Sequence, residues 1–111
     1  MFKAALIDKT TDLLENCKRL NITLTTAESC TGGMISALLT EIPGSSAVIH
    51  QSYVTYANTA KHAILGVPTG TLRVPVAVSG EVVRALAVGA VMISGGNISV
   101  AVSGIAGPGG G

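Results

Sequence analysis

ITLTTAESCTGGMISALLTEI, Ile22 to Ile42, decides how the rest of the chain is read. ITLTTA at its start is short and β-branched, the composition of a buried strand. From Thr31 on, TGGMISALLTEI has the apolar spacing of a helix, and Pro43 and Gly44 stop it. Between the two lies AESCTGG (27–33), where a serine and a cysteine follow an acidic residue and precede two glycines. A strand, a glycine-bearing loop and a helix in succession form the first half of an α/β unit.

The pattern continues outward on both sides. FKAALIDKTTDLLENCKRL places Phe2, Leu6, Leu13, Leu14, Cys17 and Leu20 at mostly helical spacing, which predicts a first helix ending near Asn21. AVIHQSYVTYA (47–57) predicts a second strand, and NTAKHAILG (58–66) a helix with Asn58 as N-cap and Gly66 as its stop. VPTGTLRVPVAV (67–78) stays ambiguous, because Pro68 and Pro75 argue against a central strand. SGEVVRALAVGAVMIS (79–94) predicts a helix capped by Ser79 with Glu81 in its first turn. NISVAVSG (97–104) is a continuous apolar run, which predicts a strand covered on both faces. The alternation predicts an α/β domain of layered helices and strands, one domain over residues 1–111, apparently cut short where a buried strand runs into a glycine loop.

Composition narrows the function. Net charge is +1 and the basic residues are scattered, so neither a basic stripe nor an aromatic platform points to nucleic acid. Apolar residues make up 48% and charged residues 12%, a surplus that predicts self-association, such as a homodimer. No charge occurs from Ala85 onward, yet SGGN (94–97) divides that run into pieces too short for the ~20 residues that span a bilayer. Charges at Lys3 and Asp8 leave no apolar leader, which together with the two cysteines, Cys17 and Cys30, predicts a reduced, cytoplasmic setting with free thiols.

Chemistry concentrates in two loops. In parallel sheets ligands gather beyond the carboxyl ends of strands, and both AESCTGG and SGIAGPGGG follow predicted strands. If those strands are neighbours, the loops face one crevice. Gly32 and Gly33 remove side chains where the second helix begins, leaving amides free for an anion or a developing oxyanion. On residue type alone, Ser29 or Thr31 reads as that helix's N-cap, Glu28 as an exposed charge or a partner for a buried donor, and Cys30 as a small buried apolar residue. A serine nucleophile needs a base. His50 falls inside a strand and His62 on a helix, and neither builds a Ser/His/Asp set with Ser29. Lys61 is the other candidate. Lysine acts as a base only when neutral, a form that burial and a helix N-terminus both favour. Tyr56 sits just before it, at the carboxyl end of the strand. The loop GIAGPGGG matches neither a P-loop nor the dinucleotide fingerprint but offers unhindered amides.

TTAESCTGG, EIPGSSAVIHQSYVTYANTAKHAILGV, AVSGEVVRALAVGA and VAVSGIAGPGGG occur in an order and spacing that resembles the CinA C-terminal domain family, whose members include nicotinamide mononucleotide amidohydrolases. The resemblance implies a three-layer α/β/α sandwich that hydrolyses the carboxamide of nicotinamide mononucleotide to the acid and ammonia, without metal or cofactor. By that resemblance Ser29 is the nucleophile, Lys61 its base and Tyr56 a bridging hydroxyl. Glu28, Thr31, Gly32 and Gly33, with Ser103, Gly104, Gly107, Gly109 and Gly110 of the second loop, line the nucleotide pocket. The family continues past the glycine loop with further strands, a basic phosphate-contacting residue and a final helix. TGTLRVPV (69–76) stands where the family has a more charged segment. The competing expectation is a nucleotide-binding or oligomerisation module without turnover, and a third is a cysteine hydrolase built on Cys30.

Overall fold

The computed structural model describes residues 1–72 and 80–104. Three parallel strands form the sheet: β1 (Leu24–Glu28), β2 (Tyr53–Val54) and β3 (Ile98–Val102), in the order β2-β1-β3. Helices α1 (Ala4–Arg19) and α2 (Met34–Thr40) cover one face. Helices α3 (Asn58–Leu65) and α5 (Gly80–Ser94) cover the other, and the single turn α4 (Thr69–Leu72) lies against α5. The architecture is therefore the expected three-layer α/β/α sandwich.

Alternation along β1 builds two separate cores. Leu24 enters the first, with Leu14 and Cys17 of α1 and Leu39 of α2. Ala27 enters the second, with Leu65 of α3 and Val82, Leu86 and Ala90 of α5. All five residues of β1 are buried, as a central parallel strand requires. Each fully buried leucine contributes on the order of 2–3 kcal/mol of apolar transfer. In α1 the buried stripe is Thr10, Leu14 and Cys17; Leu6, Leu13 and Leu20 stay exposed.

Several boundaries differ from the sequence expectation. Helix α2 starts at Met34 rather than Thr31, because Gly32 (φ 61°) and Gly33 (φ 102°) are both left-handed and no α-helix runs through such residues. The second strand shrinks to Tyr53–Val54. Ser45–Ala47 form a turn of 3-10 helix, and Val48 and Ile49 fill the first core instead of pairing. Asn58 is the first residue of α3, not its cap; Ala57 is the N-cap and offers no side-chain bond. Gly66 ends α3 as expected, with Gly66 N–H on the His62 carbonyl and Val67 N–H on that of Lys61. Helix α5 matches its predicted span, while its expected cap Ser79 lies outside the described residues.

β3 corrects a larger expectation. It is not covered on both faces: Ser99 and Ala101 face α5, but Ile98 and Val100 on the opposite side are exposed. The physical reason is placement. α1 and α2 stand over Leu24 of β1, and their core does not reach the edge strand beside it.

Candidate active site

The carboxyl end of β1 sends consecutive side chains to opposite faces. Glu28 points to the α1/α2 side. It is 0% exposed, and both of its oxygens are engaged. Oε1 accepts from the Thr31 hydroxyl (2.7 Å) and the Ile35 amide (2.9 Å), and Oε2 accepts from the Ser36 amide (2.9 Å). Gly33, the N-cap of α2, has no side chain to bond these amides, so a carboxylate from the strand does it instead. Two expectations change here. Neither Ser29 nor Thr31 caps α2. The Ile35 and Ser36 amides are not free for an oxyanion. Of the two readings of Glu28, exposed charge or partner for a buried donor, the structure has the second: it accepts from two backbone amides and from the Thr31 hydroxyl.

Ser29 continues the ladder, its amide donating to Val102 O (3.1 Å), and by alternation it shares the α3/α5 side with Ala27. It is 5% exposed, and its hydroxyl has no hydrogen bond among the described residues. Lys61 approaches from above. β2 gives way to α3 within a few residues, so the first turn of α3 stands at the carboxyl edge of the sheet. Leu65 packs with Ala27 in the second core. From there Ser29 lies about 7 Å further along the strand, and Lys61 lies about 6 Å back along the helix, in the same direction. Regular geometry carries both residues toward the carboxyl edge of the sheet, on the side of the second core.

Lys61 is 3% exposed and has no ion pair or side-chain hydrogen bond among the described residues. Lysine is almost never fully buried unless paired, because an ammonium loses its hydration there. Here the carboxylate that might have paired with it, Glu28, is turned to the other face and already engaged.

The adjoining loops supply the rest. β1 and β3 pair in register from Leu24↔Ile98 to Glu28↔Val102, which brings Ser103 and Gly104 beside Ser29 and Cys30. A side chain at Gly104 would meet Cys30 Sγ at 3.1 Å, so the described starts of the two loops are neighbours. Gly107, Gly109 and Gly110 lie outside the described residues. Gly32 N–H closes a turn on Ser29 O, whereas the amides of Cys30, Thr31 and Gly33 have no hydrogen-bond partner among the described residues. Tyr56 is 67% exposed, and its hydroxyl has no bond among those residues to Ser29 or Lys61. His50 is exposed at the opposite end of the sheet, and His62 bonds the Val67 carbonyl through Nδ1 (2.8 Å). Cys17 and Cys30 are free thiols. Among the described residues no cluster of three His, Cys, Asp or Glu could hold a metal, and no helix is long and apolar enough to cross a membrane.

Sequence reading passes over one neighbour, Thr55. It follows β2, its amide donates to Glu28 O (2.9 Å), and the register Ala27↔Tyr53, Glu28↔Val54 continues to Ser29 beside Thr55. The strand order β2-β1-β3 reverses at β1, and α/β sheets of this order bind ligands beyond the carboxyl ends of β1 and β3, where Ser29 and Ser103 follow their strands. A hollow of about 580 Å³ runs along the outer face of α5 past Leu65, Pro68, Val88 and Met92 and includes none of these groups.

Fold and site together define a parallel α/β/α protein with a buried serine at the carboxyl end of its central strand and, in the first turn of α3, a buried lysine without a side-chain partner among the described residues. The chain belongs to the CinA C-terminal domain family, whose model matches residues 7–111. It is 52% identical over 101 residues to a nicotinamide-nucleotide amidohydrolase PncC of Pseudomonas putida, covering 91% of this chain and 63% of that protein. It is 53% identical over 94 residues to a CinA-like protein of Geobacter metallireducens, covering 85% of this chain and 23% of that protein. Among solved structures, the competence/damage inducible protein CihA of Agrobacterium tumefaciens superposes with a TM-score of 0.95 at 46% identity, over all of this chain and 67% of that one. The chain thus spans less than two thirds of the amidohydrolase and about a quarter of the longer relative.

Proposed function

We propose that this chain carries the serine–lysine centre of an amidohydrolase that converts nicotinamide mononucleotide to nicotinic acid mononucleotide and ammonia. The observation that carries the reading is Lys61, buried in the first turn of α3 without a side-chain partner among the described residues, together with a buried serine whose hydroxyl is unengaged among them at the carboxyl end of β1. Such an amine is costly for stability alone and suits a base. The amidohydrolase name of the Pseudomonas putida relative supports the substrate class.

In this mechanism Ser29 Oγ attacks the carboxamide carbon while its proton passes to the Lys61 amine. The oxyanion forms next to the loop amides rather than at the start of α2, whose amides Glu28 occupies. Cys30 N–H, the amide after the nucleophile, and Thr31 N–H are the donors this assigns, each worth about 3 kcal/mol in comparable sites. The tetrahedral intermediate collapses, the C–N bond breaks, and the Lys61 proton leaves with ammonia. Water, deprotonated by Lys61, then releases the acid from the acyl-enzyme. Ser103, Gly104 and the glycine loop take the nucleotide end.

The test is ammonia release from nicotinamide mononucleotide, measured for this chain and for the chain extended with the remaining third of the Pseudomonas putida relative. Turnover that vanishes in Ser29→Ala supports the reading. Turnover that survives in Ser29→Ala but not in Cys30→Ser would replace it with a cysteine hydrolase. Nucleotide binding without turnover in both proteins would favour a binding module.

A further inference from the structure

We infer that Thr31 is a positioning residue, whose hydroxyl holds the Cys30 and Thr31 amides in place for the oxyanion; this rests on the amidohydrolase reading above. The loop between β1 and α2 (29–33) has little to fix it from within. Gly32 (φ 61°) and Gly33 (φ 102°) are left-handed, and glycine enters and leaves such conformations at little steric cost. The backbone is tied at the entrance by the Ser29 amide on Val102 O (3.1 Å), then by the Gly32 amide on Ser29 O (3.1 Å) and the Met34 amide on Thr31 O (3.1 Å). Thr31 is the only side chain of this loop with a hydrogen bond among the described residues: its hydroxyl donates to Glu28 Oε1 at 2.7 Å.

That bond closes a ring. Glu28 precedes Ser29 directly, so a bond from its carboxylate to Thr31 encloses Ser29 and Cys30. The carboxylate end of the ring is anchored. Glu28 is 0% exposed and also accepts from the Ile35 and Ser36 amides of α2, both at 2.9 Å. The other end is stiff, because one torsion separates the Thr31 hydroxyl from its backbone and β-branching restricts that torsion. Holding the hydroxyl therefore holds the Thr31 backbone and the rigid peptide planes that carry the Cys30 and Thr31 N–H groups. Neither amide has a partner among the described residues, so no bond of their own sets their direction. Oxyanion donors work by being aimed before the charge develops. Thr31 supplies that aim through the backbone, with no contact between its hydroxyl and the reacting atoms.

The experiment measures how fast diisopropyl fluorophosphate labels the chain, with intact mass and peptide mapping as readout. Ser29 Oγ bonds phosphorus, the P–F bond breaks, fluoride leaves, and the serine proton passes to the Lys61 amine. The phosphoryl oxygen takes the oxyanion's place, so no nucleotide pocket is required. Wild type is expected to label at Ser29. Thr31→Val keeps the shape and loses the hydroxyl, and is expected to label about 10²-fold more slowly, the cost of a misplacement of about 1 Å. Thr31→Ser restores the hydroxyl on a freer torsion and should return to within about tenfold of wild type. Thr10→Val is the control. It removes another buried hydroxyl, bonded to Leu6 O (2.7 Å) in α1, and should label at the wild-type rate. Similar small decreases in urea midpoint for the two valine variants would show that both remain folded. Labelling of Thr31→Val at the wild-type rate overturns the positioning role and leaves the serine–lysine centre standing. Failure of Thr31→Ser to recover, or equal slowing in Thr10→Val, also overturns it, because the loss would then not come from the hydroxyl's hold on the loop. Absence of labelling at Ser29 in wild type removes the amidohydrolase reading and the positioning role together.

Discussion

Glu28 and Lys61 are both buried charged residues at the carboxyl edge of the sheet, and they differ in everything else. On the α1/α2 side, Glu28 accepts three hydrogen bonds and holds the start of α2. On the α3/α5 side, Lys61 has no side-chain partner among the described residues, and the Ser29 hydroxyl has none either. A buried charge with its partners assembled belongs to the architecture. A buried charge without them opposes the fold and calls for another reason to be kept. One strand end thus serves two purposes because neighbouring side chains leave it in opposite directions.

Substitutions can break or sharpen that contrast. The largest effect is expected from Ser29→Ala, which should lower ammonia release by about 10³-fold or more while leaving the far-ultraviolet circular dichroism unchanged. Lys61→Met should follow, with a loss of about 10²–10⁴ in turnover. It should also raise stability in urea by about 1 kcal/mol or more, since a well-packed apolar chain replaces an unpaired buried amine. A lower urea midpoint in Lys61→Met would mean that the amine has structural partners and would dissolve the contrast. Glu28→Ala should behave oppositely and destabilise the fold by roughly 2–3 kcal/mol in the same measurement, because two α2 amides lose a buried charged acceptor. The smallest effect belongs to Thr31→Val, about 1 kcal/mol, for one hydrogen bond to Glu28.

The two sides were also unequally legible. Strand, loop and helix around Ile22–Ile42 follow from β-branching, helical spacing and the Pro43–Gly44 stop, and all three elements are present. Ser29 and Lys61 stand out by residue type, since a nucleophile beside a glycine pair and a lysine near a helix start are local features. The role of Glu28 was legible only as one of two alternatives, a partner for a buried donor, and which donors it takes was not. Its donors Ile35 and Ser36 are seven and eight residues away, and serine, threonine and asparagine are better-known caps than a glutamate arriving from a strand. Thr55 was hidden for a related reason. Nothing in SYVTYANTAK distinguishes the threonine from the tyrosine beside it until the register with β1 shows which one is buried next to Ser29. The shortened β2 reflects a tertiary override: β-branched Val48 and Ile49 satisfy a core instead of a ladder.

Periodicity, punctuation and composition alone determined the succession of helices and strands, the layered class, and the two loops in which chemistry was to be sought. These are properties of short segments, set by side-chain shape and backbone preference within a few residues. Tertiary structure alone decided that β1 lies between β2 and β3, that Glu28 and Ser29 part to opposite faces, and that Lys61 is buried without a counter-charge among the described residues. Those facts depend on register and on which helix covers which face. Both are fixed only when distant segments bury their apolar sides together.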